Sequence, residues 1–198
     1  NETGLHCWYY GFEATNYDKL QGEASREGRY CVFCGQELLY QRFHYAQLGK
    51  FCCSECGNQN PESNFTAHSL ILTPKIEMKV NDIEIRSPYQ GFYNAYNILA
   101  AVSLAKLVGI EDEIIQKAIA NYEPRAGRME QFEIDKRKVT LILVKNPTGL
   151  NQALATINTE PTPKAIFFAL NDNVADGRDI SWIWDADIEQ ITALDSNI

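Results

Sequence analysis

The sequence predicts an α/β protein of two domains, with a small metal-binding insertion in the first domain. Three observations lead to this fold class. Two C-x-x-C-G motifs lie in the first third of the chain, and a hairpin pattern is followed by an alanine- and leucine-rich helix pattern. Beyond residue 123, short apolar strands alternate with helical segments, which is typical of a parallel sheet with helical crossovers. We therefore expect two domains, residues 1–123 and 124–198.

The composition is that of an ordinary globular protein. Of the 198 residues, 45% are hydrophobic and 22% are charged, and the net charge is −8. A nucleic-acid surface needs clustered lysine and arginine side chains, so this acidic balance argues against nucleic acid as a partner. No apolar run reaches the roughly 18 residues of a membrane span, and no signal peptide is recognisable. We expect a cytoplasmic protein that is not transmembrane.

The first residues form a strand-like aromatic run, Cys7 to Glu13, without a cap or lead-in. We therefore expect this sequence to be a fragment of a longer protein. The three histidines, His6, His44 and His68, are interpreted as structural residues, because a complete set of four cysteine ligands is already present.

The cysteine motifs predict a metal site. Cys31 pairs with Cys34 and Cys53 with Cys56, and a glycine that permits a left-handed turn follows each pair. Four thiolates at this spacing suit one tetrahedral Zn²⁺, and four protein ligands leave no open position for a substrate. We predict a structural zinc ribbon over about residues 29–60. Two disulfides or unbound core cysteines are the alternatives.

The segment after the ribbon predicts a sheet covered by a helix. Phe65–Leu72 has the composition of a strand, and Ile76–Val80 and Ile83–Arg86 alternate with period two around an Asn-Asp turn. Residues 91–109 have the pattern of a long helix that ends at a glycine, and a second helix is predicted over residues 111–121.

Asn94 and Asn97 lie three residues apart near the start of the long helix and therefore share a face. From the spacing alone, the simpler interpretation is that their amides cap the helix locally.

The second domain is predicted to place polar residues at the carboxyl ends of its strands. Strands are expected at Gln131–Ile134, Val139–Val144 and Ala165–Leu170, with a helix that opens near Thr148. Open α/β sheets bind ligands at this edge, and a lysine beside a helix N-terminus suits an anion. A solvated loop is an equal alternative. No G-x-x-x-x-G-K-[ST] phosphate loop occurs in the sequence.

Three features in this order resemble Mur ligases: the two asparagines Asn94 and Asn97 on a helix after a hairpin, the Gly127 to Glu130 segment, and the Val144 to Gly149 segment. The cysteine ribbon and the acidic tryptophan run, Asp176 to Asp185, narrow this likeness to the ligase-like subunits of lipid II isoglutaminyl synthases. The resemblance implies the end of a central ATPase domain with an inserted zinc ribbon, followed by an incomplete Rossmann-like C-terminal domain.

The resemblance also implies an activity. ATP, with Mg²⁺, would phosphorylate the α-carboxylate of D-glutamate in lipid II, and ammonia from a GatD-like glutaminase subunit would convert it to D-isoglutamine at the cytoplasmic face of the membrane. The alternatives are an amino-acid-adding Mur or folylpolyglutamate-type ligase and a non-catalytic zinc-ribbon interaction module.

The residue roles that follow from the resemblance fall into two groups. Asp179, with Asp176 as second choice, would orient the catalytic histidine of the glutaminase. In the nucleotide site, Glu130 would orient Arg128 near the ribose and phosphates. Near the position of Asn146, Mur ligases commonly have an aspartate. The expected nucleotide-binding residues are Asn94, Asn97, Arg128, Glu130, Lys145, Asn146 and Thr148.

Overall fold

The computed structural model describes residues 4–20, 28–123, 127–159, 162–171, 173 and 179–192. It divides the chain into two compact units, Asn1–Tyr122 and Glu123–Ile198, and each is described by itself. The first unit contains β1 (Tyr10–Phe12), β2 (Leu39–Tyr45), β3 (Leu48–Cys52), β4 (Phe65–Ile71), β5 (Ile76–Val80), β6 (Ile83–Ser87), α1 (Phe92–Leu107) and α2 (Asp112–Ala120). The second contains β7 (Arg128–Ile134), β8 (Arg137–Ile142), α3 (Pro147–Thr159), a 3₁₀ helix (Ser181–Asp185) and α4 (Glu189–Thr192).

A four-stranded sheet with the order β1-β4-β5-β6 forms the centre of the first unit. β1 runs parallel to β4, whereas β4, β5 and β6 are antiparallel neighbours. In β5 and β6 every second residue is buried, which is the period of a strand with one face on the core. The predicted hairpin around Asn81 is confirmed, and Asn81 itself has φ 50°.

α1 and α2 cover the apolar face of this sheet. α1 buries Phe92, Ala95, Ile98, Leu99 and Val102, which recur at the spacing of one helix face. The helix ends before a glycine with φ 81°, as the sequence predicted. The buried cluster therefore runs continuously from strand to helix; it includes Phe12, Ala67, Leu70, Ile76, Met78, Val80, Ile83, Ile85 and Ile115.

β2 and β3 form a separate antiparallel hairpin between β1 and β4 in the sequence. The two C-x-x-C segments lie at one end of this hairpin, before β2 and after β3. The turn at the other end contains Ala46, which has φ 43° and is buried. We call residues 29–60 the cysteine hairpin.

The strands of the second unit are antiparallel, which corrects the predicted parallel pairing. β7 and β8 pair as a hairpin, because Asp135 and Lys136 both have positive φ, 50° and 63°, and form a two-residue turn that returns the chain directly. The predicted strand at residues 165–170 has no strand assignment, and Phe167 on it is 92% exposed.

α3 and the 3₁₀ helix pack together in the second unit. Leu150, Leu154 and Ala186 are buried there, and the partly buried side chains of Trp182 and Ile183 pack against them. Within the described ranges, none of the helices is both long and apolar enough to cross a membrane.

Candidate functional site

The two cysteine segments have the same backbone structure. The N–H of Gly35 donates to the carbonyl of Cys31 at 2.8 Å, and the N–H of Gly57 donates to that of Cys53 at 3.1 Å. Both glycines are left-handed, with φ 75° and 71°, so a side chain there would strain the turn. The two turns therefore present their sulfurs in the same way.

The geometry of the four sulfurs fits a metal ion. The Sγ atoms of Cys31 and Cys56 are 3.5 Å apart, as are those of Cys34 and Cys53, and all four lie within 4.8 Å of one another. A disulfide needs about 2.05 Å, so the cysteines are free thiols. Tetrahedral Zn²⁺ with bonds of about 2.3 Å separates its sulfurs by about 3.8 Å. These residues are placed so that they could hold a metal.

Backbone donors surround the first sulfur of each pair. The N–H groups of Phe33 and Cys34 donate to Cys31, and with the side chains of Cys56 and Asn58 they outweigh burial and lower the pKa of the Cys31 thiol to about 6. At Cys53, the N–H groups two and three residues later act in the same way and also lower its pKa. Such donors stabilise thiolates, which is the form that binds a metal.

The second sulfur of each pair behaves differently. The N–H of Gln36 donates to Cys34, but hydrogen bonds with the neighbouring thiols, Cys53 first, outweigh it and raise the pKa of Cys34 to about 12. Cys56 accepts from the N–H of Asn58, yet the Cys31 thiol first, and then burial and the Cys53 thiol, raise its pKa. The sulfurs of Cys31 and Cys56, and those of Cys34 and Cys53, therefore lie within hydrogen-bond distance of each other, and a bound metal would replace the protons of these thiols.

Cys52 has a separate role. It pairs with Leu39 in the hairpin ladder and forms a bridge with Gln59 beyond the second cysteine turn. Among the described residues, the four-cysteine group does not include it, in agreement with the spacing argument.

The two asparagines at the start of α1 have different surroundings. Asn94 is 8% exposed, and its Nδ2 donates to the carbonyl of Gln90 at 2.7 Å. Asn97 is exposed on the next turn. Asn94 therefore ties the first turn of the helix to the residue before its N-cap, although it caps no helix N–H, and of the two asparagines only Asn97 is exposed.

The Gly127 to Glu130 segment is a bulged strand start. Met129 has φ 61°, and the register of β7 shifts there between Arg128 and Glu130. Glu130 Oε2 accepts a hydrogen bond from the N–H of Gly127 at 3.0 Å, so its carboxylate fixes this turn. The Arg128 side chain lies outside what the structure describes.

Asn146 caps α3. Its Oδ1 accepts from the N–H of Gly149 at 2.7 Å, and Pro147 occupies the first helical position, where no backbone N–H is needed. Lys145 is exposed beside this cap, and Thr148 is half-buried in the first turn. The helix start thus presents a lysine and a hydroxyl next to a side-chain cap.

Two separate predicted segments meet at one pocket of the second unit. Lys145, after β8, and Asn171, after the 165–170 segment, both line it together with Trp182 of the 3₁₀ helix. Its walls are otherwise apolar; they are formed by Leu143, Val144, Phe168, Ala169 and Leu170.

Asp179 lies at the start of the 3₁₀ helix. Its Oδ1 accepts from the N–H of Ser181 at 2.9 Å, and hydrogen bonds from the Ser181 side chain and backbone lower the pKa of this exposed carboxyl. Asp179 is thus ionised and oriented at neutral pH. Asp176 lies outside the described residues.

A buried histidine–aspartate pair was missed by the sequence analysis. Nδ1 of His44, in β2, lies 2.7 Å from Oδ1 of Asp18, and the two side chains are 3% and 11% exposed. The pattern of residues signals this pair only weakly, because Asp18 and His44 are far apart along the chain and His44 lies among aromatic residues of an ordinary strand.

Known proteins are similar to this chain along most of its length. The family described as MurT ligase C-terminal matches residues 143–198. The lipid II isoglutaminyl synthase (glutamine-hydrolyzing) subunit MurT of Staphylococcus aureus (strain COL) is 34% identical over 184 residues, which cover 93% of this chain and 42% of that protein. The protein of the same name from Streptococcus pneumoniae (strain ATCC BAA-255 / R6) is 35% identical over 189 residues, with coverages of 94% and 42%.

A solved structure shares the fold. The pseudomurein peptide ligase type C from Methanothermus fervidus superposes with a TM-score of 0.63 at 28% identity, over 80% of this chain and 31% of that chain.

These likenesses define the chain first as a Mur ligase-like α/β protein. Within that class, residues 143–198 match the MurT ligase C-terminal family and 93% of the chain is 34% identical to a curated MurT subunit, so the resemblance predicted from the sequence is confirmed. The chain spans 42% of the length of the curated relatives that it matches.

Proposed function

We propose that this chain is part of the ATP-dependent ligase subunit of a glutamine-dependent amidotransferase that amidates the α-carboxylate of D-glutamate in lipid II. The observation that carries this proposal is the identity of 34% to the S. aureus subunit over 93% of the chain. The first unit would be the end of a Mur-type central domain, and the second the start of the C-terminal domain. The partner would be a GatD-like glutaminase in the cytoplasm.

The proposed reaction needs an activated carboxylate, a source of ammonia and exclusion of water. ATP, with Mg²⁺, supplies the phosphoryl group that activates the carboxylate. Lys145 and Thr148 flank the start of α3, where a cation and a hydroxyl suit phosphate oxygens. Asn146, whose Oδ1 holds the cap, keeps an amide N–H for the same site.

The remaining nucleotide contacts are proposed from the family likeness. Asn97 would meet the adenine through its exposed amide, and Asn94 would hold the turn beside it. Arg128 would lie near the ribose and phosphates. Glu130 would fix the backbone of this segment through its hydrogen bond to Gly127, which is a different means of orienting Arg128 from a direct ion pair.

We infer that Asp179 orients the catalytic histidine of the glutaminase, with Asp176 as the alternative. An orienting acid must be ionised and held in one direction; an exposed carboxyl such as Asp179 is ionised at neutral pH, and the Ser181 hydrogen bond holds its direction. The test is glutamine hydrolysis by the full complex carrying Asp179→Asn or Asp176→Asn, with Asp185→Asn as matched control. A hydrolysis rate that survives Asp179→Asn contradicts the assignment.

The decisive experiment for the activity uses the full-length protein, its glutaminase, ATP, Mg²⁺, glutamine and lipid II. Mass spectrometry should show the small mass loss that replaces a hydroxyl by an amino group, located at the α-carboxylate of the glutamate. A gain of a whole amino-acid residue would instead identify an adding ligase. Unchanged lipid II would favour a non-catalytic ribbon module.

We also propose that the four cysteines hold one structural Zn²⁺. The support is the sulfur geometry together with the N–H groups that point at each sulfur. With all four positions taken by protein, the ion would supply folding stability and no chemistry. Removal of zinc by a chelator should accelerate amide hydrogen exchange across residues 30–57. Exchange that stays the same there would remove the structural role.

A further inference from the structure

The cysteine hairpin joins the rest of the first unit at the end opposite its cysteines. Lys19 and Phe43 exchange two backbone hydrogen bonds of 2.8 Å, and Ala46 in the turn is 4% exposed. Cys52 and Leu48 mark the two ends of β3, about 13 Å apart at strand rise. Loosening of the cysteine cluster would therefore affect the rest of the first unit through the two strands and this turn end.

The His44 side chain, near the turn end, is buried against aromatic residues of the core. Its ring stacks on Phe92 at 5.5 Å and 25°, and meets the edge of Phe12 at 6.0 Å. Tyr96, one turn along α1, lies 6.1 Å from the same ring. Because Phe92 is the first residue of α1, His44 packs on the same helical turn that Asn94 secures.

Asp18 holds the ring in this position. Its Oδ1 lies 2.7 Å from His44 Nδ1 and accepts from the Thr15 hydroxyl at 2.7 Å, while its Oδ2 accepts from the Thr15 N–H at 2.9 Å. Arg42 Nε lies 3.6 Å from Oδ2. Burial raises the pKa of Asp18, but the Thr15 and His44 hydrogen bonds lower it further than burial raises it, so the carboxylate stays charged.

A buried carboxylate with this many partners fixes a geometry more effectively than it adds stability. Thr15 and Asp18 belong to the connection after β1, His44 to β2, and Phe92 to α1. The pair is thus the point at which the cysteine hairpin, the connection after β1 and the helix start come together.

We propose that His44 and Asp18 are positioning residues that couple the cysteine hairpin to the first turn of α1. When the hairpin is ordered, Asp18 holds the His44 ring against Phe92, and the ring keeps in place the first turn, which carries Asn94 and leads into the turn of Asn97. When the hairpin loosens, the ring leaves Phe92 and this turn frays. The consequence for nucleotide binding rests on the proposed function.

The coupling is tested in the full-length protein by amide hydrogen exchange of residues 92–99, with and without a zinc chelator. His44→Phe keeps an aromatic ring against Phe92 but loses the bond to Asp18, and His44→Asn keeps an N–H donor near the position of Nδ1. The same change at another strand histidine, His68→Phe, is the matched control, because His68 bonds only to Ser69 and Asn81 in the described contacts. Zinc content is measured for every variant.

In the unmodified protein the chelator should speed exchange in residues 92–99 about tenfold, the factor expected for one hydrogen bond to a charged group. In His44→Phe, with its zinc retained, exchange should already be fast, and the chelator should add nothing. His44→Asn, which keeps a donor for Asp18 but has no ring to stack on Phe92, should lose the protection as His44→Phe does, and His68→Phe should behave like the unmodified protein. If His44→Phe does not fold, Asp18→Asn, which keeps the His44 ring but removes the carboxylate that holds it, takes its place in the same comparison.

Two results would overturn the coupling. One is exchange in residues 92–99 that ignores the chelator in the unmodified protein. The other is that chelation and His44→Phe act independently, so that the exchange rate of the variant with chelator reflects the product of the two separate increases. A His44 that only adds stability would give this result, whereas a coupling residue would not.

A second readout separates this inference from the proposed function. His44→Phe should raise the KM for ATP about tenfold while kcat changes little, because the nucleotide-binding turn is displaced and the reacting groups are not. If the exchange data show coupling but the KM for ATP is unchanged, the coupling stands and Asn94 and Asn97 are removed from the nucleotide site.

Discussion

Asp18 keeps a negative charge in a nearly buried position, and its partners determine the pH at which it can do so. Its pKa is lowered in the folded protein, so it contributes stability that is present above the unfolded pKa, about 3.9, and is lost as pH falls through the lower folded value. We expect the difference in free energy of unfolding between the unmodified protein and Asp18→Asn to shrink below about pH 4.

This pH dependence is measured by denaturant unfolding with chelator present in both samples, so that acid release of metal does not contribute. A difference that stays constant from neutral pH down to the acid limit would show that Asp18 has the same pKa in both states.

The capping role of Asn146 can be tested separately from any role in ligand binding. Asn146→Ala removes the side-chain acceptor for the N–H of Gly149 and should cost about 1 kcal/mol in the stability of α3. Asn146→Asp keeps an acceptor of equal capping strength and should leave the stability unchanged. The measurement is hydrogen exchange in the first turn of α3, and equal exchange in both variants would contradict the capping role.

Single residues also show what the sequence could and could not predict about the site. The cysteine cluster was predictable, because each motif is local and repeats with its own glycine. The His44–Asp18 pair was not, because it depends on how a distant strand returns to the chain after β1. The hydrogen bond from the Gly127 N–H to the Glu130 carboxylate was not predictable either, because no spacing rule indicates it.

At the scale of elements, the cysteine hairpin depends on a close approach of its two strands. A side chain at Gly49 would collide with the backbone carbonyl of Arg42, which cannot rotate away. Gly49→Ala should therefore force the strands apart and destabilise the hairpin by about 1–3 kcal/mol. Gly11→Ala is the control, because its new methyl group meets only the Ser63 hydroxyl, at 2.9 Å.

The comparison between Gly49→Ala and Gly11→Ala is made by zinc retention in a competing chelator and by thermal unfolding. Equal behaviour of the two variants would show that the hairpin tolerates separation of its strands.

Elements whose pattern is fully local were predicted well. β5, β6 and α1 follow from their periodicity; the bounds of β5 are as predicted, and those of β6 and α1 differ by one or two residues. The direction of β7 and β8 was wrong, because Asp135 and Lys136 are not a strong turn signature, although both adopt the positive φ that a tight hairpin needs. Alternation of strands and helices therefore indicated an α/β class but did not determine strand pairing.

At the scale of the whole molecule, the two units differ in how much apolar surface they bury. The described part of the first unit has a continuous core that includes Ile76, Leu99 and Val102, whereas the cluster buried in the described part of the second contains Leu150, Leu154 and Ala186. Trp184 and Phe167 are 85% and 92% exposed. Residues 1–122 expressed alone with zinc should unfold cooperatively, and residues 123–198 alone should not.

Circular dichroism during heating checks this difference, supported by binding of a hydrophobic dye to residues 123–198. A sharp transition without dye binding for that segment would show that its core is sufficient by itself.

Because β1 pairs in parallel with β4, the cysteine hairpin between them also affects the order in which the first unit folds. Parallel neighbours need a long crossover connection, usually a helix, and here the described part of that connection contains the cysteine hairpin. Closing β1 onto β4 costs chain entropy that grows with the free length between them. A metal that ties residue 31 to residue 56 would shorten that free length before the strands meet. In cells that lack the metal, newly made chains would then accumulate with β1 not paired to β4, and the free edge of β4 would be open to pairing with strands of other chains.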